Sequence, residues 1–162
     1  MLELQRLRLD HEAAVLAFEL TNRAYFAESI SDRGDAFFEQ FTDGHRALLA
    51  EQEAGVCVFH VLVDEDGEVV GRFNLYDLVD GRADVGYRVA QRVAGQGVAT
   101  AGLRDLCRIA GDELGLRTLT AATNTENIAS QRVLAKVGFV VIGPAEVAGR
   151  QGTSYELVLA RP

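Results

Sequence analysis

Between Val56 and Val89 the apolar residues fall in short, β-branched runs separated by turn residues. Val56-Cys57-Val58-Phe59-His60-Val61-Leu62-Val63 reads as a strand, Asp64-Glu65-Asp66-Gly67 as a hairpin turn, and Glu68 to about Leu78 as the returning strand. A second turn at Asp80-Gly81-Arg82 leads to Ala83-Asp84-Val85-Gly86-Tyr87-Arg88-Val89, the third strand of an antiparallel meander. The period then changes. Ala99, Leu103, Leu106, Cys107, Ala110 and Leu114 recur at three and four residues, which predicts one amphipathic helix closed by Gly115.

The flanks carry weaker patterns. Leu2, Leu4, Leu7 and Leu9 alternate with polar residues and change phase at Gln5-Arg6, predicting an opening strand with a bulge or bend. Asp10 is placed to cap a helix from His11 to about Tyr25, and Ser31-Asp32-Arg33-Gly34 punctuates before a second helix with Phe37, Phe38, Phe41, Leu48 and Leu49. The five phenylalanines from Phe18 to Phe41 form core between these helices or wall a substrate pocket. Downstream, Arg117 to Thr123 reads as a strand, Asn124-Thr125 as a cap, Asn127 to Val137 as a helix stopped by Gly138, and Phe139 to Gly143 and Thr153 to Leu159 as two strands joined through Gly149 to Gly152. The order βαα, meander, αβαββ predicts an α/β (α+β) single domain over residues 1–162, with a mixed, mostly antiparallel sheet of about seven strands and about four flanking helices.

Composition narrows the function classes. No apolar run approaches the ~20 residues of a membrane span, and Met1 to Arg6 lacks a basic region followed by an apolar block, so a cytoplasmic location is expected. The net charge of −8 argues against a nucleic-acid or anionic-membrane surface and favours cationic partners. Cys57 and Cys107 sit in separate apolar patterns without metal-ligand spacing and read as small buried hydrophobes, so no metal is expected. His11, His45 and His60 are scattered, which suits surface or satisfied, partly buried side chains.

The candidate chemistry lies in Arg92-Val93-Ala94-Gly95-Gln96-Gly97-Val98-Ala99-Thr100, between the third meander strand and the amphipathic helix. Two glycines let the main chain approach a ligand, and the first helical turn adds unpaired N–H donors, so an anion such as phosphate is the natural guest. A dinucleotide fingerprint would need a third Gly or Ala where Thr100 stands, and a Walker A loop would need Gly-Lys-Ser/Thr.

The ordered set Arg92-x-x-Gly95-x-Gly97-x-Ala99, long helix, strand, then Asn124-x-x-Asn127-x-x-Ser130-x-x-Val133-Leu134-x-x-x-Gly138-Phe139 resembles the GNAT N-acyltransferase superfamily. With Val85-Gly86-Tyr87 it is most similar to the branch of ribosomal-protein N-terminal acetyltransferases (Rim type). The resemblance implies acetyl-CoA as acyl donor, its pyrophosphate on the backbone of Arg92, Val93, Ala94, Gly95, Gln96, Gly97, Val98 and Ala99. It implies a pantetheine arm paired along Val85, Tyr87 and Val89, where neighbouring strands splay, and hydrogen-bonded by Asn127, whose other role is helix capping. Arg132 and Lys136 would approach the 3′-phosphate or simply face solvent.

In the same resemblance Asp84, with Tyr87 nearby, is the candidate base, a strand amide near Tyr87 holds the oxyanion, and Ser130 brings its hydroxyl near the sulfur. Leu134 stands where many members carry a tyrosine acid. Tyr155 lines an acceptor pocket or belongs to the core. The implied reaction is attack of a primary amine on the thioester. A protein or peptide N-terminus, with a reference pKa of about 7.8, has a usable neutral fraction. A small polycation, such as a polyamine or aminoglycoside, is the second acceptor class. The contrasting reading, carried by Leu134, is a CoA-binding sensor domain without catalysis. Homodimers are common in the family.

Overall fold

Every residue of the run Val58–Val63 is buried, so layers must cover both faces of the sheet that contains it. The structure is a computed structural model describing residues 1–159. The chain runs β1 (Glu3–Arg6), α1 (Glu12–Thr21), α2 (Arg23–Ala27), α3 (Asp35–Glu39), α4 (Phe41–Glu53), β2 (Val58–Val63), β3 (Val69–Val79), β4 (Arg82–Val89), α5 (Val98–Asp112), β5 (Thr118–Asn124), α6 (Ile128–Val137), β6 (Val140–Val147) and β7 (Arg150–Val158). Short 3-10 turns occupy Leu9–His11 and Gln91–Val93.

The strands form one seven-stranded sheet in the order β1-β2-β3-β4-β5-β7-β6. All neighbours are antiparallel except β4 and β5, which run parallel. Alternation along β2 sends Phe59, Val61 and Val63 to a layer with Val15, Phe18, Phe26 and Phe41 of α1, α2 and α4. Val58 and Leu62 join the opposite layer, where Phe73 and Val85 meet Leu103, Leu106 and Ala110 of α5 and Leu134 of α6. Helix α5 comes so close to β3 that a Cβ at Gly102 would run into the Phe73 ring.

Several expectations change. Each early helix is divided in two, giving six α-helices among the described residues. Asn22 ends α1: its Nδ2 donates to Phe18 O at 2.9 Å, while its Oδ1 accepts from Gln91 N at 2.9 Å and ties the helix to the segment after β4. The second division falls at Gln40, in the bridge region at φ −108°, ψ 27°. Asp10 caps nothing; it lies in the 3-10 turn, where the Arg8 amide donates to His11 Nδ1 at 2.9 Å. No bulge interrupts β1, whose register with β2 is continuous from Glu3 to Arg6. The irregularity is on the other side of β2, between Leu62 and Val63 against β3.

All three histidines are buried, against the expectation of a surface or partly buried placement, and the Nδ1 atoms of His45 and His60 have no partner among the described residues. Cys57 is buried and Cys107 half-buried, both free thiols, and burial pushes the Cys107 thiol up to about 12. Phe18, Phe26 and Phe41 supply core, as expected, with Phe37 half-buried against it, while Phe38, also half-buried, lies outside it under the Arg23 guanidinium. Under α1, Glu19 is 1% exposed and meets Arg72 at 2.8 Å, Arg33 at 3.1 Å and Arg88 at 3.3 Å. Burial works against its charge, but the three guanidinium groups outweigh it and hold the carboxyl below its usual range.

Candidate active site

Strands β4 and β5 pair only at Arg82–Thr118, Ala83–Leu119 and Asp84–Thr120, and then part. Beyond that apex β4 continues to Val89 against β3 alone, while β5 continues to Asn124 against β7 alone. The Ala90 amide donates to Val70 O on β3 at 2.8 Å. Alternation along an antiparallel strand therefore turns the backbone groups of Tyr87 and Val89 toward the gap, with Val85 at its mouth. These are the residues expected to pair with an extended ligand arm.

A cavity of about 420 Å³ occupies the gap. Its walls are Val85, Gly86 and Tyr87 of β4, Ala121 to Asn124 of β5, Asn127, Ser130 and Leu134 at α6, the segment Ala27 to Asp32 after α2, and the β6–β7 turn at Val147, Ala148 and Arg150. The Tyr87 hydroxyl lies 3.0 Å from Ser130 Oγ. The Tyr87 ring stacks on Phe73, with centroids 5.8 Å apart and 12° between planes. Burial raises the Tyr87 phenol pKa, against the opposing hydrogen bond to Ser130, so it stays protonated and able to donate. The Asn127 side chain is the N-cap of α6: its Oδ1 accepts from Ser130 N at 3.2 Å. Asn127 also lines the cavity, and its carboxamide nitrogen makes no hydrogen bond among the described residues. Leu134, almost fully buried, closes the wall with an apolar side chain.

The glycine turn stands at the far end of β4, outside the cavity's lining. Gly95 and Gly97 have φ of +76° and +77°, the left-handed region that glycine enters without strain, and nothing stands within 4 Å of a Cβ at either. Gly97 is the N-cap of α5 and supplies no capping side chain. The first partnered amide of α5 is that of Ala101, which donates to Gly97 O at 3.0 Å; those of Val98, Ala99 and Thr100 precede it at the helix end. Free donors, positive helix end and open space fit a phosphate group. The Arg92 side chain is directed elsewhere. It pairs with Asp64 at 3.0 Å and Glu68 at 3.2 Å, fastening the turn to the β2–β3 hairpin.

The expected grouping of Asp84 with Tyr87 does not survive the pleat. Their side chains lie on opposite faces of β4: Tyr87 stacks on Phe73 in the α5 layer, whereas Asp84 is exposed and accepts a hydrogen bond from Thr120 Oγ1 across the apex. Tyr155 belongs to the core. Arg132 and Lys136 are exposed on α6, without an ion pair among the described residues. The acceptor contacts expected from the region of Tyr25 to Phe41 correspond to the wall at Ala27 to Asp32, whereas sequence reasoning named no residue of the wall at the β6–β7 turn, which reaches the gap only through tertiary folding. Sequence reasoning also missed Thr120, whose partner is set by the parallel register.

A model of the acetyltransferase (GNAT) domain matches residues 2–140. The putative ribosomal N-acetyltransferase YdaF of Bacillus subtilis (strain 168) is 33% identical over 126 residues, covering 75% of this chain and 64% of that protein, so the match spans less than two thirds of its length. Among solved structures, the ribosomal-protein-S5-alanine acetyltransferase from Vibrio fischeri superposes with a TM-score of 0.90 at 19% identity, covering 98% of this chain and 93% of that one. Mycobacterium smegmatis RimJ, in complex with CoA-disulfide, has a TM-score of 0.86 at 24% identity, covering 97% and 81%. These likenesses are of fold.

Proposed function

This chain belongs to the GNAT acetyltransferase family, and we propose that it transfers an acetyl group from acetyl-CoA to the N-terminal α-amine of a protein or peptide. The observation that carries this reading is the gap between β4 and β5, with unpaired main chain on one side, the Tyr87–Ser130 pair at its wall and a phosphate-competent turn at its end. The amides from Gly95 to Ala99 bind the pyrophosphate, and the open edge at Tyr87 and Val89 takes the pantetheine as an added strand. Asn127 donates from its free carboxamide nitrogen.

The amine nitrogen attacks the thioester carbonyl carbon, a Tyr87 or Val85 amide steadies the oxyanion, and the carbon–sulfur bond breaks. Tyr87, relayed by Ser130, protonates the departing thiolate and so fills the role of the tyrosine absent at Leu134. Asp84 at the apex, on the face turned to α1–α4, receives the amine proton through solvent. Exposed Val140, Val141 and Ile142 on the edge strand β6 and Val158 on its neighbour β7 suit a second copy of the chain, so a homodimer is part of the proposal.

The test is thiol release from acetyl-CoA with a panel of peptide N-termini, polyamines and aminoglycosides. Peptide turnover is expected. Turnover of polycations alone would move the acceptor to that class, and acetyl-CoA binding without any turnover would make the protein a sensor.

A further inference from the structure

Across the gap from Tyr87 stands Thr123. Asp84 is the last residue of β4 that pairs with β5, at Thr120, and the two strands run parallel, so three residues further along each brings Tyr87 level with Thr123. The two also share a face of the sheet. Alternation from Leu119 and Ala121, both in the α5 layer, puts the Thr123 side chain on the side where Tyr87 stacks on Phe73. All three of Thr123, Tyr87 and Ser130 line the main cavity.

The Thr123 hydroxyl has no employment within the fold. On the other face of β5, Thr120 donates to Asp84 and the Asn124 carboxamide donates to Ser29 O. Thr123 is 5% exposed, yet its hydroxyl donates no hydrogen bond among the described residues. Nor is Oγ1 one of the unpartnered side-chain atoms that are sealed from solvent, so it opens onto the cavity. The nearby wall residues Val85, Ala121 and Leu134 are apolar. Folding gains nothing from an unpaired hydroxyl in such a place, where a valine of the same shape would be at least as stable.

The position names the ligand atom. In the proposed reaction Tyr87 and Ser130 deliver a proton to the sulfur, and the acyl carbonyl carbon is one bond from that sulfur. As the amine adds to this carbon, the π pair of the carbonyl moves onto oxygen, and it returns as the carbon–sulfur bond breaks. That oxygen has a β4 amide as donor on one side and apolar wall around it, and an oxyanion accepts more than one hydrogen bond. We propose that Thr123 is a further catalytic residue, whose Oγ1–H donates to the carbonyl oxygen of the acyl thioester and grips it harder as its negative charge develops. The hydroxyl keeps its own proton throughout. The proposal rests on the acetyltransferase reading and adds a side-chain donor from β5 to the main-chain donor from β4.

The test compares the full chain with Thr123→Val, which keeps the shape, and Thr123→Ser, which keeps the donor. Thr123→Val should lower kcat on the order of 10²-fold, the scale of one lost oxyanion donor, with KM for acetyl-CoA within about twofold of its original value. Its thermal unfolding midpoint should stay level or rise, and Thr123→Ser should restore most of kcat. An unchanged kcat in Thr123→Val, or equal losses in both variants together with a lower midpoint, would overturn the assignment. The carbonyl stretch of bound acetyl-CoA, 13C-labelled at that carbon, gives a second readout that needs no turnover. It should lie at lower frequency in the original protein than in Thr123→Val. If no amine is acetylated, the transfer reading fails by itself and the stretch decides the contact: equal frequencies, or no binding of acetyl-CoA, overturn it.

Discussion

The hydroxyls of Tyr87 and Ser130 stand 3.0 Å apart, joining residues 43 positions apart in sequence from β4 and from the first turn of α6. The pair faces the cavity between the parted strands, and the Phe73 ring fixes the orientation of the phenol. In the proposed reaction this half-buried, protonated phenol, with a second hydroxyl in contact, would serve as proton donor and relay for the departing thiolate.

Tyr87→Phe should therefore lower kcat on the order of 10²-fold with little change in KM for acetyl-CoA, the scale of a lost general acid. Ser130→Ala should cost less, and the double variant little more than Tyr87→Phe alone. Steady-state kinetics on the three variants checks this; additive losses would mean that the two hydroxyls act separately.

Gly97→Asp puts a side chain and a negative charge at φ +77° in the phosphate turn. At 100-fold excess over Kd a ligand adds about 2.7 kcal/mol to the native state. At roughly 2–4 °C per kcal/mol for a chain of this size, acetyl-CoA should raise the melting temperature by about 5–10 °C. The variant should lose that shift in a thermal denaturation run with and without acetyl-CoA.

Asp84→Asn keeps the shape of the apex and removes its charge. A flatter pH–rate profile is expected if Asp84 takes the amine proton, whereas an unchanged profile would assign proton removal to bulk water.

Glu19→Gln would leave Arg33, Arg72 and Arg88 without their common anion. Unfolding in urea should show a loss of about 3–5 kcal/mol, the cost of breaking a buried pair from one side.

His60 is held neutral: burial, aided by Arg6 and opposed by the Phe73 backbone and Asp105, lowers its pKa from 6.5 to about 4. The folded pKa lies below the unfolded one, so the stability linked to it is complete above pH 6.5 and is lost as the pH falls toward 4. The span is worth about 3 kcal/mol. Urea titrations across this range should show the slope, and His60→Gln should flatten it.

The legible parts of the sequence were those with a local signature. The meander showed through Asp64 to Gly67 and Asp80-Gly81, α5 through its period, and the phosphate turn through Gly95 and Gly97 at the mouth of a helix. What escaped depended on distant partners. Asn22 breaks a helix because Gln91, 69 residues on, completes its hydrogen bonds. Glu19 is buried because three arginines from three separate segments converge on it. The separation of Asp84 from Tyr87 is legible in strand alternation, since residues three apart on a strand point to opposite faces.

The three register pairs joining β4 to β5 have a mechanical meaning. The sheet is two plates, β1 to β4 and β5, β7, β6, hinged at Asp84–Thr120 and held beyond the hinge by side chains instead of a ladder. A chain that enters the seam and bonds to β4 works as a splint, stiffening the joint while it is there. Catalysis and rigidity would then rise and fall together, and each departing product would return the joint to its looser state.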